Sequence, residues 1–280
     1  MISVNTNIAS MAAIQNLAST NRDLAVSQKA LSTGKKVADV ADNGAIWVIA
    51  NKMGSDVKAY DRVRESGERA GAILDTAIAA AESIMDRLND MKGKALAAVQ
   101  PGLSTSSLSA LNADFVQLRD QIGTSVANAT FDGANMIGTT PASAIALGDA
   151  NGGNTITIAG VNLNLGQTTI TVAANATLDT TGTSAGVTAN TNILNAINTS
   201  ITNLGTEMAR LGAGAKRFDA HLQFVSKLQD ALNTGIGAIT DADLSKESAR
   251  LQSLQVKQQL GVQALSIANS STSTALSLFR

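Results

Sequence analysis

The chain has 280 residues, a net charge of −1, 2% aromatic residues and no cysteine. That balance offers no basic face for nucleic acid or an anionic membrane surface, and the missing cysteines exclude disulfides and thiolate metal sites. With so few aromatics, Ala, Leu, Ile and Val must fill the interior, and with prolines only at Pro101 and Pro141 long helices are allowed.

The first 21 residues carry no charged side chain, and the first basic residue is Arg22. Asn5, Asn7, Gln15 and Asn16 interrupt any apolar core there, so the pattern is not that of a cleaved secretory signal. No run of about 18 apolar residues marks a membrane span. A helix is expected over residues 4–33, stopped by Gly34 in the position after the cap. Ile14 leads into a row of Leu17, Leu24 and Leu31 at seven-residue spacing, the seam of a coiled coil.

Residues 33–44 read as a linker, and residues 45–99 as a long helix. Gly54, Gly67, Gly71 and Gly93 each weaken that helix by roughly 1 kcal/mol relative to Ala, a cost that close approach of neighbouring helices must offset. Pro101-Gly102 is a turn. A further helix is expected over residues 104–128, with Leu108, Leu111, Phe115, Leu118 and Ile122 at helical spacing. Composition then shifts. Residues 139–189 are rich in Thr, Asn, Gly and Ala, and no Lys or Arg lies between Arg119 and Arg210. Thr155-Ile156-Thr157-Ile158 and Thr169-Ile170-Thr171-Val172 alternate as strands do, with Val161, Leu163 and Leu165 alternating between them. The helical pattern resumes over residues 192–235, where Gly235 and Gly237 are expected to end it. Asp241 and Asp243 offer capping oxygens to a last helix over residues 243–278, with Glu247 in its opening turns. Leu244, Leu251 and Leu265 keep the heptad period, beside a companion row of Leu254, Gly261, Ala268 and Ala275.

The expected fold is mainly α: a long coiled-coil-like helical rod from paired N- and C-terminal segments, with a small β-rich insertion in the middle. Chain ends are ordinarily polar, solvated and frayed. Two uncharged, apolar-striped, helix-compatible ends are the opposite. They are expected to meet and to form a seam buried against other copies of the chain, with Ile14, Leu17, Leu24, Leu31, Leu244, Leu251, Leu254, Leu265, Leu276 and Leu278 as its residues. No catalytic, cofactor-binding or metal residues are assigned. The single histidine, His221, lies in a helical pattern, and Gly34-Lys35 lacks the upstream glycine of a phosphate loop. Asp149-Ala150-Asn151-Gly152-Gly153-Asn154 is read as a hairpin turn, not a calcium loop.

Several motifs, in one order, resemble bacterial flagellin. They are the opening Met1-Ile2-Ser3-Val4-Asn5-Thr6-Asn7, Ala30-Leu31-Ser32-Thr33-Gly34, Thr130-Phe131-Asp132-Gly133-Ala134-Asn135, Ile239-Thr240-Asp241-Ala242-Asp243, and the close Ala275-Leu276-Ser277-Leu278-Phe279-Arg280. Ala41-Asp42-Asn43 stands where that family usually has Lys-Asp-Asp, and Ile46-Trp47 with the short middle looks alphaproteobacterial. The resemblance implies a non-enzymatic structural subunit, secreted and extracellular, that polymerises with itself into the flagellar filament and serves motility. It implies a D0-like filament core from residues 1–43 and 241–280, a D1-like rod from 44–138 and 190–240, and a D2-like surface domain from 139–189. It also implies hook-associated junction and cap proteins, the flagellar type III export apparatus and an export chaperone as partners, with no nucleic acid, membrane or cofactor. A hook–filament junction protein and a soluble helical adaptor are the competing readings.

Overall fold

The computed structural model describes residues 6–277, and side chains over residues 6–270. In chain order the elements are α1 (Ile8–Thr33), α2 (Gly44–Ala98), α3 (Thr105–Asn128), β1 (Ala144–Leu147), β2 (Thr155–Ile158), α4 (Ser184–Thr240) and α5 (Leu244–Ser277). Two compact units divide them: residues 58–229, and residues 1–57 with 230–280.

The unit of residues 58–229 holds the core. Apart from Ile73, the buried positions of α2, Val63, Gly67, Ala70, Leu74, Ala77, Ala81, Ile84, Leu88, Met91, Ala95 and Ala98, follow an unbroken alternation of three- and four-residue steps. That is the seam of a coiled coil sustained over five heptads. α3 answers with Leu108, Phe115 and Ile122, and α4 with Ile197, Leu204, Leu211, Phe218 and Val225, each row at seven-residue spacing. Ala at five of these eleven seam positions of α2 lets helices approach closely. At Gly67 the approach is closest, since an added Cβ would lie 2.8 Å from Leu222 Cδ2. Gly54, Gly71 and Gly93 have nothing within 4 Å of that point, so close packing offsets the cost of one of these four glycines and not the others.

The middle segment joins the same core through Met136, Ile137, Ala144, Ala146, Ile158, Leu163, Ile170, Val172 and Leu178. β1 and β2 form a two-stranded antiparallel hairpin with Ala144 opposite Ile158 and Leu147 opposite Thr155. The alternation at 155–158 is thus a strand, whereas that at 169–172 is not. There the Thr171 N–H is donated to Ser200 Oγ at 2.9 Å, so α4 captures a backbone donor that a ladder would use, and Thr171 Oγ1 adds a second bond to the Ala196 carbonyl at 2.9 Å. Ile170 keeps one isolated parallel bridge to Leu165. β1, rich in Ala, is the strand that replaces it in the pairing.

α4 exceeds its expected bounds at both ends. Its start is set by Thr183, whose Oγ1 accepts the Gly186 N–H at 3.1 Å. One turn on, Asn190 sits at the head of the α4 seam row, 1% exposed. Its side chain donates to the carbonyls of Ala98 and Asp179 and accepts the Asp179 N–H at 2.6 Å. A buried amide so satisfied fixes which turn of α4 meets the end of α2. At the other end, Gly235 and Gly237 are helical. Met53 Cε lies 3.0 Å from where a Gly235 Cβ would sit, so glycine lets the Met53 side chain pack against the α4 backbone there.

The α1 boundary follows its caps. Asn7 Oδ1 accepts the Ser10 N–H at 3.0 Å, and Gly34 adopts the left-handed conformation with φ 70 that favours glycine. Asp243, rather than Asp241, caps α5, accepting the Lys246 N–H at 3.1 Å.

Candidate functional site

The surface of interest is the terminal helix pair. α1 and α5 run antiparallel, and polar rungs fix their register. Asn7 Nδ2 donates to the Ala268 carbonyl at 2.8 Å, and Ser10 Oγ to Asn269 Oδ1 at 3.0 Å. Further along, Gln258 Nε2 donates to Asn21 Oδ1 at 2.8 Å, and the buried Ser27 hydroxyl to Glu247 at 2.9 Å. Between the rungs the approach is close: a Cβ at Gly261 would stand 3.2 Å from Leu17 Cδ1.

Both connections that leave this pair are tied together. The N–H groups of Lys36 and Val37 donate to the Thr240 carbonyl at 2.7 and 3.2 Å, and the Ala242 N–H donates to the Gly34 carbonyl at 2.9 Å. Lys29 Nζ reaches Asp39 at 2.6 Å and Asp42 at 2.8 Å, and Asp42 Oδ2 also accepts the N–H groups of Ala38 and Asp39. The hydrogen bond from Lys29 holds both carboxyls below the usual carboxylate range, aided at Asp42 by the two backbone donors, while the same bonds raise Lys29. Although the family's usual Lys is Ala41 here, Asp42 has a cationic partner one helix earlier.

The seam residues named from the sequence fall into two groups. Leu17, Leu24, Leu251 and Leu265 are half-buried and Leu254 is buried, so they belong to the pair itself. Ile14, Leu31 and Leu244 are exposed. Leu276 lies in α5 beyond the described side chains, and Leu278 lies outside the described residues. Heptad counting passed over Ile8, Met11, Val26, Val256, Leu260, Val262 and Ile267, all exposed on these two helices. They sit off the leucine rows. Ile8, Met11, Leu260, Val262 and Ile267 fall within the uncharged stretches 1–21 and 258–279, whereas Val26 and Val256 stand near Arg22, Asp23, Lys29 and Lys257 and carry no such signal.

The imbalance between the two units is large. Among the described residues, thirteen of the seventeen exposed large apolar side chains lie in the terminal unit, against Leu96, Phe131, Ile145 and Phe224 in the other. Conversely, the terminal unit buries three apolar residues, Ala30, Val37 and Leu254, and the remaining buried ones all lie in residues 58–229. Exposed apolar area on this scale marks an interaction surface.

His221 is half-buried, its Nε2 3.2 Å from the Leu147 carbonyl and its ring tilted against Phe224. Asp149 closes the β1–β2 hairpin, accepting N–H groups from Asn151 and Gly153 and the Asn154 amide, as a turn residue does. Among the described residues no three His, Asp or Glu side chains converge as metal ligands, and no helix is long and apolar enough to cross a membrane.

A cored coiled-coil unit joined to an outwardly apolar helix pair defines the class of filament-forming helical subunits. Residues 4–140 match the family model of the bacterial flagellin N-terminal helical region, and residues 194–279 that of the C-terminal helical region. Flagellin FljK of Caulobacter vibrioides is 43% identical over 99% of this chain and 98% of its own length. A flagellin of Brucella melitensis is 35% identical over the whole of both chains. In fold, a chain assigned as a flagellar hook-associated protein of Vibrio parahaemolyticus superimposes with a TM-score of 0.61 at 13% identity, covering 71% of this chain and 100% of that one. The chain belongs to the bacterial flagellin family, the structural subunits that polymerise into the flagellar filament outside the cell.

Proposed function

We propose that α1 and α5 enter the filament as one antiparallel peg and form its inner core, while residues 58–229 supply a prefolded body. The observation that carries this reading is the near absence of a private core in the terminal unit beside its thirteen exposed large apolar residues. An isolated helix of this length is marginal in water. Each outward Ile, Leu, Met or Val contributes roughly 1.5–3 kcal/mol only when fully buried. In a monomer that contribution is withheld. A heterologous contact repeated from copy to copy delivers it and extends without closing, which produces a fibre.

The assembly residues under this reading are the outward Ile8, Met11, Ile14, Val26, Leu31, Leu244, Val256, Leu260, Val262 and Ile267. Leu17, Leu24, Leu251, Leu254 and Leu265 hold the peg together. The same uncharged ends are suited to passage, unfolded, through the flagellar type III export apparatus with an export chaperone covering them, and to end contacts with junction and cap proteins. Amide exchange on monomer and on polymer tests the central claim. Residues 8–30 and 245–270 are expected to exchange fast in monomer and slowly in polymer, while residues 63–98 are protected in both. Equal, long-lived protection of the ends in monomer overturns it. Long tubes grown from the purified chain alone separate a filament subunit from a junction protein or a soluble adaptor.

A further inference from the structure

The chain has two Asn-Gly pairs, Asn43-Gly44 and Asn151-Gly152. We propose that Asn151 is a site of spontaneous covalent modification, deamidating through a cyclic imide, and that the fold protects Asn43 from the same reaction. The reaction needs the backbone nitrogen of the following residue to reach the side-chain amide carbon. Glycine permits that approach because it has no Cβ and rotates freely.

At Asn151 the structure leaves the side-chain amide free and holds the attacking nitrogen by a turn bond to Asp149. The residue is exposed in the connection between β1 and β2, and among the described hydrogen bonds its side chain makes none. Its own N–H is held by Asp149 Oδ1 at 3.0 Å, which anchors the backbone without engaging the amide. The attacking nitrogen, that of Gly152, donates to the Asp149 carbonyl at 3.3 Å, longer than the usual 2.9–3.0 Å of such a bond. Gly152 has φ 71 and nothing within 4 Å of its Cβ position, so the turn has room to re-form around a ring.

Asn43 is held at both ends of its side chain and backbone. Its Oδ1 accepts the Ile46 N–H at 3.1 Å and its carbonyl accepts the Trp47 N–H at 2.9 Å, which makes it the cap of α2. Gly44 is already the first residue of that helix. Turning the Asn43 amide onto the Gly44 nitrogen breaks the cap, and the helix start resists that loss.

The atoms balance with water as the one co-reactant. The Gly152 nitrogen bonds to Asn151 Cγ, its proton passes to the departing amide nitrogen, and ammonia leaves. Water then opens the imide. Attack at Cγ restores the ordinary peptide with Asp at 151, and attack at the main-chain carbon leaves an isoaspartyl linkage with one extra methylene in the backbone. No oxidation occurs. Either product adds one negative charge to a chain of net charge −1 and sets a second carboxylate beside Asp149, whose acceptor bonds close the hairpin.

The test is ageing of the full-length protein, as monomer and as polymer, in mildly alkaline buffer. Digestion with trypsin places Asn43 and Asn151 in separate peptides, residues 37–52 and 120–210. Fragmentation mass spectrometry then assigns the site, and methylation by an isoaspartyl methyltransferase reports the rearranged product. Deamidation at Asn151 is expected to run at least about tenfold faster than at Asn43, to yield methylatable isoaspartate at 151, and to vanish at that position in Asn151→Gln, which cyclises poorly. A second variant, Ile46→Pro, removes the N–H that holds the Asn43 amide and is expected to raise the Asn43 rate towards that of Asn151. Equal rates at the two sites, a faster Asn43, or no isoaspartate at 151 overturns the inference.

Discussion

Replacing Ile267 by serine separates folding of the subunit from growth of the fibre. Ile267 is 69% exposed on α5, one residue before the carbonyl that Asn7 binds. Because so little of it is buried within the chain, stability of the isolated subunit should change by no more than about 0.5 kcal/mol. Within a filament the exposed share becomes available for burial. Scaling roughly 1.5–3 kcal/mol for a whole side chain by that share leaves about 1–2 kcal/mol per subunit. The critical concentration for seeded polymerisation should then rise by a factor of about 5–30. Sedimentation of polymer and assay of the remaining soluble protein measure it, with circular dichroism and thermal unfolding of the monomer as the control. A rise of less than about twofold, with unchanged monomer, refutes the assignment of this face to the filament interior.

Asn190→Ala removes two donor bonds and one acceptor bond from a buried position and leaves the Ala98 carbonyl without that donor. It should cost about 2–3 kcal/mol, read as a fall in the unfolding midpoint of the 58–229 unit. Gly160→Ala forces a methyl group onto the carbonyls of Met136 and Ala142. It should destabilise by about 1–3 kcal/mol, whereas Gly93→Ala, with open space at its Cβ position, should stabilise α2 slightly. Asp39 and Asp42 titrate below their ordinary range because Lys29 binds them, so the stability they contribute is present above the ordinary carboxylate pKa and is lost as pH falls through the depressed one. Lys29, raised by the same bonds, contributes below its ordinary value and loses that contribution as pH climbs through the raised one. Protection of the Ala38 amide, whose N–H is held by Asp42, measured against its intrinsic exchange rate at each pH, should follow this acid limb in the native chain and lose that limb in Asp42→Ala.

How far each part could be read in advance depends on whether the deciding partner was near in sequence. Gly34 and Ser104 end and begin helices by bonds within a few residues, and both positions were legible. The rows Leu17-Leu24 and Leu108-Phe115-Ile122 were legible because periodicity alone places them. The strand expected at 169–172 was lost to Ser200, twenty-nine residues away, whose hydroxyl competes for the Thr171 N–H. The start of α4 was hidden because Asn190 looks like a loop residue until the Ala98 carbonyl and Asp179 are set around it. On the terminal surface Leu17, Leu24, Leu251 and Leu265 point inward, to the pair, while Leu31 and Leu244 of the same rows are exposed. Outward residues such as Ile8 and Val256 lie off those rows, so counting along the rows did not reach them.

The clasp between residues 34–37 and 240–242 carries a further consequence. Because each crossing strand is stitched to the other beside Gly34, neither arm has slack of its own. A pull on one is felt by its companion within a residue or two. Torque carried along a rotating fibre therefore loads both tails of a subunit together, and slippage demands that the whole two-legged root withdraw.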